Sequence, residues 1–230
     1  MPTGHTDKRK HILFVQTQAE MAGAQEISRL LGEGLSRPGP AGEAAYEVHH
    51  LFLYRKTAGC DDFPNVRFVA RERPSGPVGA VRFVAELFRA MREIRPDVVL
   101  AFQHYGNIVA APVARLSGVP RIVANHVSAP ATISPAVRRI DRMLGLAGFY
   151  DVITVNSRET WRDYQDYPAR YRDRIVHVPH GFAERVTRLS KAEARRAYAL
   201  PQEARLAGTV ARLHPLKRIH LAIEALARLP

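Results

Sequence analysis

Two hydrophobic rhythms alternate along the chain. Residues 11–18, HILFVQTQ, form a short apolar run followed by turn chemistry, the pattern of a buried strand. Ile27, Leu30, Leu31 and Leu35 then recur at helical spacing across residues 24–35. The prolines and glycines of 37–42 mark a loop. Further strands are expected at 46–54, 66–70, 98–102, 121–127, 152–155 and 175–178. Helices are expected at 79–94, 107–116, 135–147 and 157–167, the first with Val81, Val84, Leu87, Phe88 and Met91 near one face. This βαβα series with short connections predicts an α/β fold, a Rossmann-like open parallel sheet with helices on both faces. It occupies residues 1–183. Residues 184–230 read as a charged linker helix (190–199), one strand (206–213) and one helix (217–229), too little for a core of their own, so an incomplete second domain is expected.

Composition narrows this picture. A hydrophobic fraction of 46% suffices for a sizeable core. The single cysteine, Cys60, excludes an internal disulfide and a multi-thiolate metal site, and suits a reducing cytoplasm. No apolar run approaches the roughly 20 residues of a membrane-spanning helix, and residues 12–15 are too short for a signal-peptide core. The net charge is +12, and half of that excess falls after residue 183. Such a balance suits anionic partners, or else a solvated, arginine-rich surface. Neither an RNP-like aromatic motif nor zinc-finger spacing is present, so no nucleic-acid partner is expected.

In open α/β sheets, ligands sit at the carboxyl ends of the strands. Gly23, His104, His126, Asn156, Ser157, His180 and Gly181 fall there. Gly23 lies in a small-residue loop entering a helix, where backbone N–H groups and the helix dipole favour a phosphate; an ordinary tight turn is the alternative. His126 ends an apolar strand, where an imidazole can bond a substrate hydroxyl or carry a proton; a satisfied structural histidine is the alternative. Arg212 and Lys217 flank a strand-to-helix turn, either as a diphosphate clamp or as two solvated cations. The arginines of the 79–94 helix suit an anionic membrane surface, against a crossover helix with a solvated basic face. Ten histidines occur, yet none at HxxxH or HExxH spacing, and no metal site is expected. GxSxG is absent, and Cys60 beside Asp61 and Asp62 is disfavoured as a thiolate.

Taken in order, five segments resemble the retaining glycosyltransferases of family 4, which have the GT-B fold. They are Ala22-Gly23-Ala24-Gln25, the run from Val119 to His126, the run from Val152 to Ser157, the run from Val176 to Phe182, and the run from Gly208 to Ala225. Ala22, His180 and Arg218 stand where the family pattern has glycine, asparagine and glycine. The resemblance implies an N-terminal, acceptor-side half of a GT-B fold and a donor-side domain cut shortly after it opens. It implies that Gly23, Arg212 and Lys217 bind the donor phosphates, that His126 contacts the transferred sugar as the catalytic residue, and that His104, Asn156, Ser157, His180 and Gly181 line the cleft. The implied reaction moves a sugar from a nucleotide diphosphate donor, a co-substrate and not a cofactor, to a hydroxyl acceptor without a metal. The basic surface mildly favours a lipid-linked or cell-envelope glycan acceptor and peripheral contact with the inner membrane face. A fragment inactive by itself is expected, with a non-catalytic acceptor-side binding module as the second reading and a basic nucleic-acid binder as a weaker third.

Overall fold

The computed structural model describes residues 9–39, 46–181, 187–211, 213 and 215–228. The chain divides into two compact units, Met1–Phe182 and Ala183–Pro230. In the first unit, strands β1 (His11–Ala19), β2 (Glu47–Arg55), β3 (Val66–Ala70), β4 (Val98–Phe102), β5 (Arg121–His126), β6 (Val152–Val155) and β7 (Ile175–His177) form one sheet. They are joined by helices α1 (Gly23–Leu35), α2 (Gly76–Ile94), α3 (Gln103–Leu116), α4 (Pro135–Ala147), α5 (Arg158–Asp163) and α6 (Ala169–Arg172). The sheet order is β3-β2-β1-β4-β5-β6-β7 and every pairing is parallel. Chain direction across the sheet reverses between β1 and β4, which opens a ligand crevice beyond their carboxyl ends.

Parallel strands need apolar residues on both faces, because helices cover both. Leu13 and Val15 of β1 pack with Leu51, Leu53, Val99 and Ala101 against Leu87 and Met91 of α2 and Ala110, Ala111 and Ala114 of α3. Ile12 and Phe14, pointing the other way, join Val48, Phe102 and Leu35 of α1. The two-residue period of a strand thus divides one apolar run between two cores.

Several boundaries differ from those read from the sequence. Helix α2 buries Phe83, Leu87, Met91 and Ile94, while Val81, Val84 and Phe88 are exposed. Apolar residues lie on more than one side of this helix, and the Phe83–Leu87–Met91 ridge is the one that meets the sheet. Helix α3 begins four residues early, so His104 lies in its first turn. The helix expected over 157–167 stops at Asp163; Pro168 then opens α6, a separate four-residue turn that the sequence reading missed. In the second unit, Ser190 forms a reciprocal capping box with Glu193 on α7 (Lys191–Ala197), and α8 spans Ile219–Leu226. The strand expected over 206–213 is absent among its described residues. The described residues of this unit include no other strand to pair with, and Val210 is wholly exposed.

Candidate functional site

The carboxyl ends of β4 and β5 deliver a group of polar side chains into the interior. Phe102 ends β4, and Gln103 turns the chain into α3 with φ of 66°, a left-handed conformation that is uncommon for a side chain-bearing residue. The next residue, His104, is buried beneath that turn, 4.2 Å ring to ring from His126 at the end of β5. His104 Nε2 lies 3.1 Å from the Ser128 carbonyl oxygen. A carbonyl only accepts, so Nε2 carries the proton and donates, and Nδ1 is left as a bare lone pair. That Nδ1 is buried without a partner. Burial, and then the neighbouring His126, press the His104 pKa down to about 4, so its ring is neutral at physiological pH.

His126 has no exposed side-chain surface. Its Nδ1 meets the Tyr164 hydroxyl at 2.6 Å, and its Nε2 lies 3.3 Å from Asp141 Oδ1. The Asn107 amide, oriented to suit its neighbours, donates to Ala101 O and accepts from His126 Nε2 at 3.3 Å. Asp141 projects inward from α4 and also accepts from the hydroxyls of Tyr150 at 3.1 Å and Tyr171 at 2.6 Å. Burial alone would push this carboxyl up. The charge and hydrogen bond of His126 and the bond from Tyr171 outweigh burial and hold Asp141 below the usual carboxylate range. Burial and the Asp141 charge raise the pKa of Tyr150, Tyr164 and Tyr171, so all three remain donors. The geometry around His126 is thus that of a satisfied interior histidine.

Above this network lies a pocket of about 260 Å³. Gln103, His104 and Tyr105 line one wall; Val127, Ser128, Ile133, Ser134 and Val137 line the rest. His104 and Ser128 therefore join the buried relay to the pocket wall. On the other side of the switch point, α1 starts at Gly23 with no side-chain cap from Ala22. A β-carbon at Gly23 would meet nothing within 4 Å, so its backbone faces open space. Uncapped N–H groups at a helix start are able to receive an anion.

The remaining expected residues of the first unit do not line this pocket. Ser157 caps α5, its hydroxyl accepting from the Thr160 N–H at 3.1 Å, and Asn156 is partly buried beside it. His180 and Gly181 follow β7; burial lowers the His180 pKa. Lys217 ends a short 3-10 helix in the second unit, and Arg212 lies outside the described residues. Sequence reasoning missed Asn107, Asp141 and the three tyrosines, each of which comes from a different helix or loop. It also missed Gln16 and Thr17, buried at the carboxyl end of β1 with side-chain polar atoms that have no partner. The polar run Gln16-Thr17-Gln18 following the apolar stretch of this strand was the available signal.

The Glycosyltransferase Family 4 profile matches residues 36–207. Among solved structures, Anabaena Alr3699/HepE in complex with UDP and glucose aligns with a TM-score of 0.76 at 17% identity, covering 95% of this chain and 58% of that one. Sucrose-phosphate synthase from Thermosynechococcus elongatus aligns with a TM-score of 0.69 at 16% identity, covering 96% and 60%. The apo form of the lipopolysaccharide outer core galactosyltransferase WaaB aligns with a TM-score of 0.59 at 12% identity, covering 96% and 58%. At such identities the likeness is one of fold, and this chain spans about three-fifths of the length of those structures. No curated protein matches it in sequence.

Proposed function

The chain belongs to glycosyltransferase family 4, and we propose that it supplies the acceptor-side domain for sugar transfer from a nucleoside diphosphate sugar to a hydroxyl acceptor, with retention of configuration. One observation above all supports this reading. A pocket lined by His104, Ser128 and Ser134 among apolar side chains sits at the carboxyl ends of β4 and β5, beside the switch point, and α1 starts without a side-chain cap. UDP-sugar complexes among the structures of this fold point to the same donor class.

In this reading the pocket over His104 receives the hydroxyl acceptor or the transferred sugar. The N–H groups at Gly23 receive donor phosphate, and Arg212 and Lys217 neutralise the departing diphosphate. Stabilising that charge is the main catalytic contribution expected of a metal-free site. His126 acts through the wall. Held by Asp141 and Tyr164, it packs against His104, which burial chiefly keeps neutral, and so positions that ring in the pocket wall. The donor-side residues that hold the nucleotide and sugar are proposed to belong to a part of the protein following Pro230. Exposed Val78, Val81 and Phe88 on α2, with Arg82, Arg89 and Arg92 nearby, are proposed to rest on an anionic membrane that presents a lipid-linked acceptor.

The test compares two proteins with a panel of radiolabelled nucleotide sugars. One is the 230-residue chain; the other includes whatever its gene encodes after Pro230. Transfer with retention by the longer protein and none by the shorter is expected. Inversion, or full turnover by the 230-residue chain, would sink this reading. Absence of transfer from both, with acceptor binding intact, would favour a binding module instead.

A further inference from the structure

At the opposite, amino-terminal end of the sheet, three metal-ligating side chains converge from two neighbouring strands. The parallel register pairs His11 with Glu47 and Leu13 with His49. Side chains two apart on a strand share a face, so His11, Glu47 and His49 project from one face of the sheet. The Glu47 carboxylate lies between the two imidazoles: Oε1 is 3.2 Å from His49 Nε2, and Oε2 is 3.9 Å from His11 Nε2. The two rings are parallel within 9°, with centroids 5.6 Å apart. The candidate ligand atoms of all three residues lie within 4.8 Å of one another.

We propose that His11, Glu47 and His49 form a binding site for a divalent transition ion of the Zn²⁺ class, clipping β1 to β2. The ligand set of two imidazole nitrogens and one carboxylate oxygen suits a borderline cation and not Mg²⁺ or Ca²⁺. The spacing is close to what such an ion needs. Ligands about 2.0–2.1 Å from a tetrahedral centre stand roughly 3.3 Å apart, so the Glu47 Oε1–His49 pair is already at that spacing, and the other ligand atoms, within 4.8 Å of one another, close by at most roughly 1.5 Å. Glu47 and His11 retain partial exposure, which leaves room for that closure and for a water on the open position.

The imidazoles are also free to ligate. His49 Nε2 has no hydrogen-bond partner despite its nearness to Glu47, so its lone pair is unspent. The backbone beneath is fixed: Glu47 N–H donates to Lys10 O, and Asp97 anchors the His11 N–H at 2.8 Å. The other compact trio, His104, His126 and Asp141, is fully buried and its acceptors are already occupied by Tyr150, Tyr164 and Tyr171. It lacks the open position of the strand-end site, and among its nitrogens only His104 Nδ1 is left without a partner.

Tag-free protein titrated with ZnCl₂ by calorimetry, and with Co²⁺ followed by visible absorption, tests the site. One saturable site per chain is expected, with a tetrahedral Co²⁺ spectrum, a raised Tm in Zn²⁺, and no competition from Mg²⁺. His11→Ala and His49→Ala should each weaken binding by roughly a hundredfold. His220→Ala, which removes an exposed histidine in the second unit, should leave it unchanged. Glu47→Gln, on a half-exposed side chain, guards against a variant that fails to fold, with circular dichroism as the check. Unsaturable binding, or a site that survives His49→Ala or Glu47→Gln in folded protein, would overturn the proposal and leave a plain His–Glu pair.

Discussion

A β-carbon on Gly145 would stand 2.3 Å from ring atoms of Tyr171, closer than any real contact. Tyr171 is the donor that shares Asp141 with Tyr150 and His126, so this one glycine makes room for the buried network. Gly145→Ala is expected to cost roughly 1–3 kcal/mol by overpacking, measured as a lower urea midpoint. No loss of stability would show that the ring moves aside without effect. Two other residues set an acid limit. His50, between Phe14 and Phe63, has its pKa lowered to about 4 by burial and then by His49; His104 is lowered to about 4 as well. An unfolded histidine titrates near 6.5, so between pH 6.5 and 4 the unfolded chain binds more protons than the folded one. The neutral forms thus stabilise the fold fully above pH 6.5, and that stability declines as pH falls toward 4. Unfolding free energy should drop over this window by a few kcal/mol, on the order of 3 for each histidine. His104→Gln should remove a share of the slope, and a flat profile in the parent protein would contradict the burial argument.

At the scale of elements, α2 separates packing from exposure most clearly. Leu87 is wholly buried against the sheet, whereas Val81 is 71% exposed one turn and a half away. Leu87→Ala is expected to destabilise by about 2–5 kcal/mol. Val81→Glu should change stability by no more than about 0.5 kcal/mol. The same substitution should abolish sedimentation with vesicles containing anionic phospholipid, since it places a carboxylate in the apolar stripe among the arginines. Vesicle binding that survives Val81→Glu, or that is absent from the start, would remove the membrane from the proposed function. The pattern of apolar residues announced this helix. Which stripe faced inward depended on the strands it met, because both stripes have helical spacing.

For the whole first unit, the sheet order 3-2-1-4-5-6-7 places the ends of β1, β4 and β5 side by side although Ala19 and His126 are more than a hundred residues apart in sequence. That adjacency, and the family match over residues 36–207, give meaning to a pocket that no single segment announces. The second unit shows the reverse. Helix α7 forms locally through its capping box, yet among the described residues α8 buries none and 206–211 form no strand. Local signals are enough for a helix; a strand needs a neighbour. Among the described residues no helix is long and apolar enough to cross a membrane.

The alternation of apolar runs with helical spacing was sufficient to read the α/β class, the seven strands of the sheet and most helices, because both periods are properties of the chain itself. The loop at Gly23 and the polar ends of β4 and β5 were legible for the same reason, since ligand ends of strands follow from the fold class. Side-chain partnership was not. His126 read as a residue at the sheet edge, and it lies enclosed by Asp141, Tyr164 and Asn107, brought in from helices and loops elsewhere in the chain. His11 and His49 showed no metal spacing along the chain, and the β1–β2 register sets them on one face with Glu47 between them. Periodicity is local and survives in one dimension. Burial, hydrogen bonding and ligand convergence depend on contacts between distant segments, and the tertiary structure alone decided them.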